Sequence, residues 1–297
     1  MDAPSGIVRT WLQTVTSTVT VTLCSFLTSV LTARMLGPQG RGLMAAALLV
    51  AALSSGIAQM GLANSLVYHC GKGHPIHARL FIVASASLVT LLTLPLSLVG
   101  MMHLYPAAYE QQTLLTVLLG ASSAIFSFAA TAAQIRVDLK VYNATRAVLP
   151  LSFAAFLLGI LIAGATLDYT SIMLFQTVVM AALSAWILVH VWEHLPDEPK
   201  PAGHMASDIG AVGGYALRYH GTILLSLLLL NIDKIFLISK VDPAQFGLYT
   251  LAFATTRVLG SVQDAAAVTT FARFAGKDGS GLEAAVAMAF RLSFMPM

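Results

Sequence analysis

The side chains of this chain with chemistry to do are the few charged and polar ones set inside long apolar runs. Arg257 and Asp264 lie seven residues apart in one apolar block, two helical turns along the same face. A guanidinium at mid-depth suits the oxygens of a phosphate or diphosphate, because its planar fork donates hydrogen bonds in pairs. The same spacing also allows an internal Arg257–Asp264 contact that neutralises both charges. Asp233 and Lys234 form a second charged site in the preceding block. Neighbouring helix positions diverge by about 100°, so these two need not pair. Lys234 is placed to snorkel to the membrane surface. Asp233 either packs against an intramembrane cation or takes up a proton or cation, and the usual pairing of buried acids favours packing. Gln59 and Asn64, in another apolar block, either line a path or hydrogen-bond a neighbouring helix. Thr18 shares a helical face with Thr14, Thr22 and Ser25. Such hydroxyls can replace water around a sugar, or simply bond the carbonyl one turn back and pack closely. The second role is the simpler one.

Two other patterns carry no chemistry. His190-Val191-Trp192-Glu193-His194 has the H-x-x-E-H spacing of inverted zinc proteases, but it ends an apolar block and has no convincing third ligand. His, Trp and Glu are expected at a membrane interface anyway. Cys24 and Cys70 lack C-x-x-C spacing and read as small hydrophobes. His74 and His77 flank a Pro-containing turn and read as solvated loop residues. No metal and no cofactor is expected.

The elements that position these residues follow from composition. Of 297 residues, 57% are hydrophobic and 10% charged, with a mean hydropathy of +0.81. Soluble domains carry about 25% charged residues, so these charges are too few to coat a water-facing surface. A net charge of +3, without a basic run interleaved with aromatics, argues against a nucleic-acid partner. A membrane helix needs about 20 mostly apolar residues. Eight blocks qualify, near 11–33, 43–68, 79–102, 113–134, 146–166, 170–192, 217–239 and 246–271. A ninth begins near Ala284 and is short at Met297, which suggests a C-terminally truncated chain. The polar run from Pro196 to Asp208 divides the blocks. The expected organisation is an all-α, polytopic bundle: a six-span lobe over 1–193, a cytoplasmic linker over 194–216, and an incomplete second lobe over 217–297.

Lysine and arginine in the loops set the orientation. With the N-terminus in the cytoplasm, ten fall inside, among them Arg9, Lys72, Arg136 and Lys200, and only Arg34, Arg41 and Lys240 fall outside. The N-terminus is expected inside.

A shift of 205 residues lays the second block on the eighth. Pro38 falls on Pro243, Gly42 on Gly247, Leu43 on Leu248, Ala47 on Ala252, and Gly71-Lys72 on Gly276-Lys277, without a gap. Parallel repeats of helical lobes are one way to build a transporter with its site between the lobes. Leu36-Gly37-Pro38-Gln39-Gly40-Arg41-Gly42-Leu43 resembles the outer loop after the first span in polysaccharide flippases of the MOP (multidrug/oligosaccharidyl-lipid/polysaccharide) exporter superfamily. Asn231-Ile232-Asp233-Lys234, followed by Gly247-Leu248-Tyr249, resembles their signature between the seventh and eighth spans. The resemblance implies two six-helix lobes rocking around a cationic cavity. It implies a non-enzymatic carrier that flips lipid-linked oligosaccharide across the bacterial inner membrane for polysaccharide, such as lipopolysaccharide, biosynthesis. Its partners would be that lipid-linked oligosaccharide, the lipid bilayer and other polysaccharide-assembly membrane proteins. The rival readings are a drug or cation exporter of the same superfamily, a truncated membrane protein that does not transport, and a membrane glycosyltransferase or polymerase. The last would need catalytic outer loops, and here Glu110, Asp168 and Asp242 are scattered singly. Reporter fusions at Ala202 and Glu110 should read cytoplasmic and external respectively, and a common side for both would end this topology.

Overall fold

The computed structural model describes residues 4–72, 77–105, 109–136, 139–193, 195 and 205–256. The first helical element, α1, covers Pro4–Ala58 and breaks at Gly37, whose backbone takes φ 67° and ψ 175°. That region is open essentially to glycine alone. The break is a reversal. Arg41 Nη2 donates to Ser29 Oγ at 2.9 Å, although twelve residues of straight helix would hold them about 18 Å apart. The two limbs, 4–36 and 38–58, therefore run back against each other, and Leu31 packs with Met44, Ala47 and Ala51. Pro38 opens the second limb, where a missing N–H costs nothing and the fixed φ suits the first turn.

The run expected as one span over 43–68 is interrupted. Met60 and Gly61 both take positive φ, and α2 (Leu62–Gly71) restarts beyond them. The middle spans appear as α3 (Ala78–Leu104), α4 (Tyr109–Ala132), α5 (Leu139–Ile162) and α6 (Tyr169–Glu193), with a 3-10 turn at Ala133–Arg136. Asp168 caps α6 by accepting from the Ser171 hydroxyl at 2.6 Å and the Ser171 amide at 3.0 Å. Those bonds hold its carboxyl below the usual carboxylate range.

The seventh helix, α7, spans Met205–Ile238. It takes in residues 205–216, which the polar sequence had suggested as linker. The reason is packing: Val212 and Ala216 are buried, and Ser65 Oγ of α2 donates to the Val212 carbonyl at 2.7 Å. His77 is likewise no free loop residue, since its Nδ1 lies 3.4 Å from Asp208 Oδ2. An eighth helix, α8, begins at Pro243 and is described to 256. Asp242 caps it, accepting from the Gln245 amide at 2.8 Å.

Among the described residues, five stretches are long and apolar enough to cross a bilayer: Thr20–Ala58, Ala78–Leu104, Gln112–Ile135, Tyr169–Glu193 and Asp208–Ile238, with Ala147–Ile162 shorter. The first of these contains both limbs of α1. The chain is an all-helical, polytopic bundle. Helix α4 is central, lying against α1, α3 and α6. Small hydroxyl residues share the buried faces with apolar ones, and large apolar side chains also face outward. On α3 the buried face includes Ser85, Thr93 and Ser97, while Leu91 is 64% exposed. Hydrocarbon solvates leucine as well as protein does, so small hydroxyl residues are left to bring helices close.

Gly37 generates the first test. A Cβ there would meet nothing within 4 Å, so a substitution probes backbone conformation alone. Gly37→Ala should cost roughly 1–3 kcal/mol. Gly159→Ala, equally open but within α5, should be neutral or gain up to about 1 kcal/mol. Thermal unfolding of the detergent-solubilised variants checks both signs.

Candidate functional site

Both limbs of α1 meet α5, α6, α7 and α8 around a cavity of about 540 Å³. Its polar wall is assembled from several elements. Ser25, Thr28 and Ser29 come from the first limb and Arg41 from the start of the second. Gln176 comes from α6, Asn231 and Lys234 from α7, and Thr250 from α8. Met44, Leu48, Phe153 and Phe253 supply apolar surface. Two of the described lining residues are cations and none is an acid.

The reversal at Gly37 explains why Arg41 points inward. Loop counting had set Arg41 among the outer charges, but it sits within the first turns of a helix that starts at Pro38. Its guanidinium bonds Ser29 through Nη2, while its Nε is buried with no hydrogen-bond partner among the described residues. Gln176 Oε1 is in the same condition. Buried polar atoms are almost always satisfied, and among the described residues nothing satisfies these two.

Lys234 does not snorkel. Its side chain is only 12% exposed, and its ammonium donates to the Leu230 carbonyl at 2.6 Å. It also stands 3.7 Å above the Phe253 ring, a cation–π contact that a buried ammonium makes at little desolvation loss. Asp233 lies 3.4 Å from Lys234 Nζ and accepts a hydrogen bond from the Tyr249 hydroxyl of α8. The carboxylate thus ties α7 to α8 and keeps Lys234 beside the cavity. Asn231 Nδ2 donates to the Leu227 carbonyl at 2.9 Å, leaving its oxygen 3.5 Å from Lys234.

The other sequence candidates separate. Gln59 bonds a neighbouring helix, donating from Nε2 to the Ala124 carbonyl of α4 at 2.8 Å. Asn64 is half-buried on α2, away from the described cavity lining. Thr18 lies in α1, and its side chain is outside what is described. The hydroxyls further along that limb bond backward: Ser25 to the Val21 carbonyl, Thr28 to that of Ser25, and Thr32 to that of Thr28. Such bonds leave lone pairs facing the cavity at Ser25 and Thr28. Arg257 and Asp264 lie outside the described residues, as does His194. His190 stacks on Trp186 at 6.1 Å, and no cluster of three metal-ligating side chains occurs among the described residues.

Arg41, Gln176 and Tyr249 were not singled out from the sequence. The signal for Arg41 was available in the Gly37-Pro38 pair, since Pro at a helix start makes the third residue on a helical one. Tyr249 stood in the Gly247-Leu248-Tyr249 motif without a role to read from it, and nothing local marks Gln176. The Asp233–Tyr249 contact yields a prediction. Asp233→Ala and Tyr249→Phe should each lower the unfolding temperature, and the double variant should lose less than their sum by roughly 1–2 kcal/mol. Strictly additive losses would mean that the two side chains do not act together.

A kinked hairpin, a cation-lined cavity and a helix α8 that starts at Pro243 as the second limb of α1 starts at Pro38 are the features on which a family comparison bears. The family described as polysaccharide biosynthesis protein matches the chain over residues 7–274. No curated protein and no solved structure gives a match. The family match spans most of the chain, cavity walls included, and the chain belongs to this family of polysaccharide biosynthesis proteins, multi-pass membrane proteins of the MOP superfamily.

Proposed function

We propose that the protein flips a polyprenyl-diphosphate-linked oligosaccharide across the bacterial inner membrane, with its N-terminus in the cytoplasm. The observation that carries this reading is the charge of the cavity: Arg41 and Lys234 line it, and no described acid does. A cation inside a membrane costs roughly 2.5–3.5 kcal/mol even on lenient insertion scales. Asp233 balances Lys234 at 3.4 Å, and Arg41 has no acid beside it among the described residues, so an arriving anion supplies the missing counter-charge. Arg41 offers a planar fork with an unpartnered Nε, suited to adjacent phosphate oxygens. Lys234 offers a point charge from the opposite lobe. Ser25, Thr28, Asn231 and Gln176 supply the mixed donors and acceptors that replace water around sugar hydroxyls. Phe153 and Phe253 give flat apolar surface for the C–H faces of the rings.

No covalent step is required, so the protein acts as a carrier and not as an enzyme. Export of cationic drugs or metal cations is disfavoured by the same two charges, which would repel them. Arg257 and Asp264 stay as sequence-based candidates for the same cavity.

The test uses the full chain in cells lacking their own copy of the gene, with surface glycan and membrane abundance both measured. A charge-assisted hydrogen bond of about 1.5–3 kcal/mol predicts a fall of roughly ten- to a hundredfold in export for Arg41→Ala. Arg41→Lys should keep part of the activity, since charge survives and the fork does not. Lys234→Ala should behave like Arg41→Ala. Normal export by both alanine variants at normal abundance would remove the cavity from the transport reading.

A further inference from the structure

The two copies of the internal repeat touch each other. Helix α8 opens with Pro243 and the second limb of α1 opens with Pro38, each followed four residues later by glycine. The position that a Cβ would take on Gly42 is filled by the carbonyl oxygen of Pro243, with Pro243 Cα 3.1 Å away. The corresponding position on Gly247 is filled by the carbonyl oxygen of Pro38, with the Gly42 amide nitrogen 2.9 Å away. Pro38 and Pro243 are repeat mates, and so are Gly42 and Gly247. The contact is therefore reciprocal: each glycine lies on the first helical turn of the other copy. Only a hydrogen fits at either place, and it points at a carbonyl, which is the geometry of a weak Cα–H···O bond.

This seam sits at the edge of the cavity. Arg41 precedes Gly42 in the chain, and Met44 and Ala45 follow it into the cavity wall. On the other side, the Thr250 hydroxyl lines the cavity and donates to the Gly247 carbonyl at 3.0 Å. At the far end of the interface Gly61 likewise lies against the Ala216 backbone, with no room for a Cβ, but there Ser65 also bonds the Val212 carbonyl and His77 lies beside Asp208. Both ends close backbone against backbone. Among the described residues only the far end adds hydrogen bonds and a His–Asp contact.

We propose that the paired Pro–Gly turns are the outer gate of the cavity. The seal is tight because nothing larger than hydrogen intervenes, and it can part because, among the described residues, no hydrogen bond or ion pair crosses it beside the apolar cluster that Phe246 joins with Ala45, Ala46 and Leu49. Those are the properties of a joint that closes against water and still parts in each cycle. Parting it moves Arg41 with one lobe and Thr250 with the other, so opening also spreads the cationic wall. A methyl group on either glycine must push the opposing helix back by roughly 1–2 Å to reach ordinary contact distance. Either alanine therefore props the gate open. The placement of this gate on the outer face rests on the proposed orientation.

The experiment reads cavity access, which needs no substrate. Cys24 and Cys70 are replaced by alanine, and Ala52→Cys provides a reporter on the cavity wall. An anionic, membrane-impermeant methanethiosulfonate is applied to spheroplasts and, separately, to inverted vesicles. With the seam unaltered, the reporter should be protected in spheroplasts. Gly42→Ala and Gly247→Ala should each raise its labelling rate there by roughly fivefold or more, as the open population grows. Gly159→Ala, where a Cβ meets nothing, should leave the rate unchanged. Rapid labelling of the unaltered parent from both spheroplasts and inverted vesicles overturns the gate, and so does an unchanged rate from both sides in both seam variants at normal abundance. If the parent is protected in inverted vesicles and the variants raise the rate there instead, the gate stands and the orientation falls. If neither alanine variant accumulates, the parent decides: protection from one side supports the seal and rapid reaction from both overturns it.

Discussion

Hydrocarbon offers no hydrogen bonds, and every polar group placed in it must find a partner inside the protein. The arrangement of this chain follows from that demand. The backbone resolves it by helices, and the small hydroxyl residues resolve it by bonding carbonyls one turn back, as Thr93 does to Val89. The costly residues are those that cannot be satisfied locally. Arg41 reaches Ser29 only because the chain doubles back at Gly37. Asp233 finds Tyr249 only because α8 returns beside α7. Two of the buried polar atoms without a partner among the described residues, Arg41 Nε and Gln176 Oε1, lie on the cavity wall. Polar residues thus mark where the helices are tied, and at the cavity they leave capacity for a ligand.

The bundle was legible in the sequence because apolar block length is a direct consequence of bilayer thickness, and α3, α4 and α6 follow their blocks closely. The reversal was less legible. Gly37-Pro38 read as a loop between spans, whereas a single glycine in a backbone region closed to other residues makes the turn without any loop. That difference moved Arg41 from an outer charge to a cavity wall. Residues 205–216 misled in the opposite way: their glycines and charges read as linker, but contact with α2 makes them helix. Local composition cannot register a neighbour 147 residues away. The Asp233–Lys234 pair was found by its charge, and Tyr249 stood in a quoted motif with no role to read from it, while Phe253 was invisible because a phenylalanine in an apolar run is ordinary.

The repeat occupies a middle position between these cases. Six identities across 35 aligned positions are few, yet two of the matched pairs are the residues that meet in space. Proline fixes the start of each helix, and glycine one turn later permits approach, so both types are demanded by the contact itself. The remaining positions are not held by this contact and are free to diverge. Weak internal similarity is the expected outcome when symmetry is kept at a joint and released elsewhere.

The reversal at Gly37 has a further consequence for how the sequence can change over evolutionary time. A turn made by one residue has no slack. Adding or deleting a residue between Gly37 and Gly42 would rotate everything beyond it by about 100°, carrying Arg41 off the cavity and Gly42 off Pro243 together. Charge placement and helix approach are locked to one chain length. Substitutions in this segment can be sampled one at a time, but length variation cannot, so homologous chains should tolerate composition drift here long before they tolerate a gap.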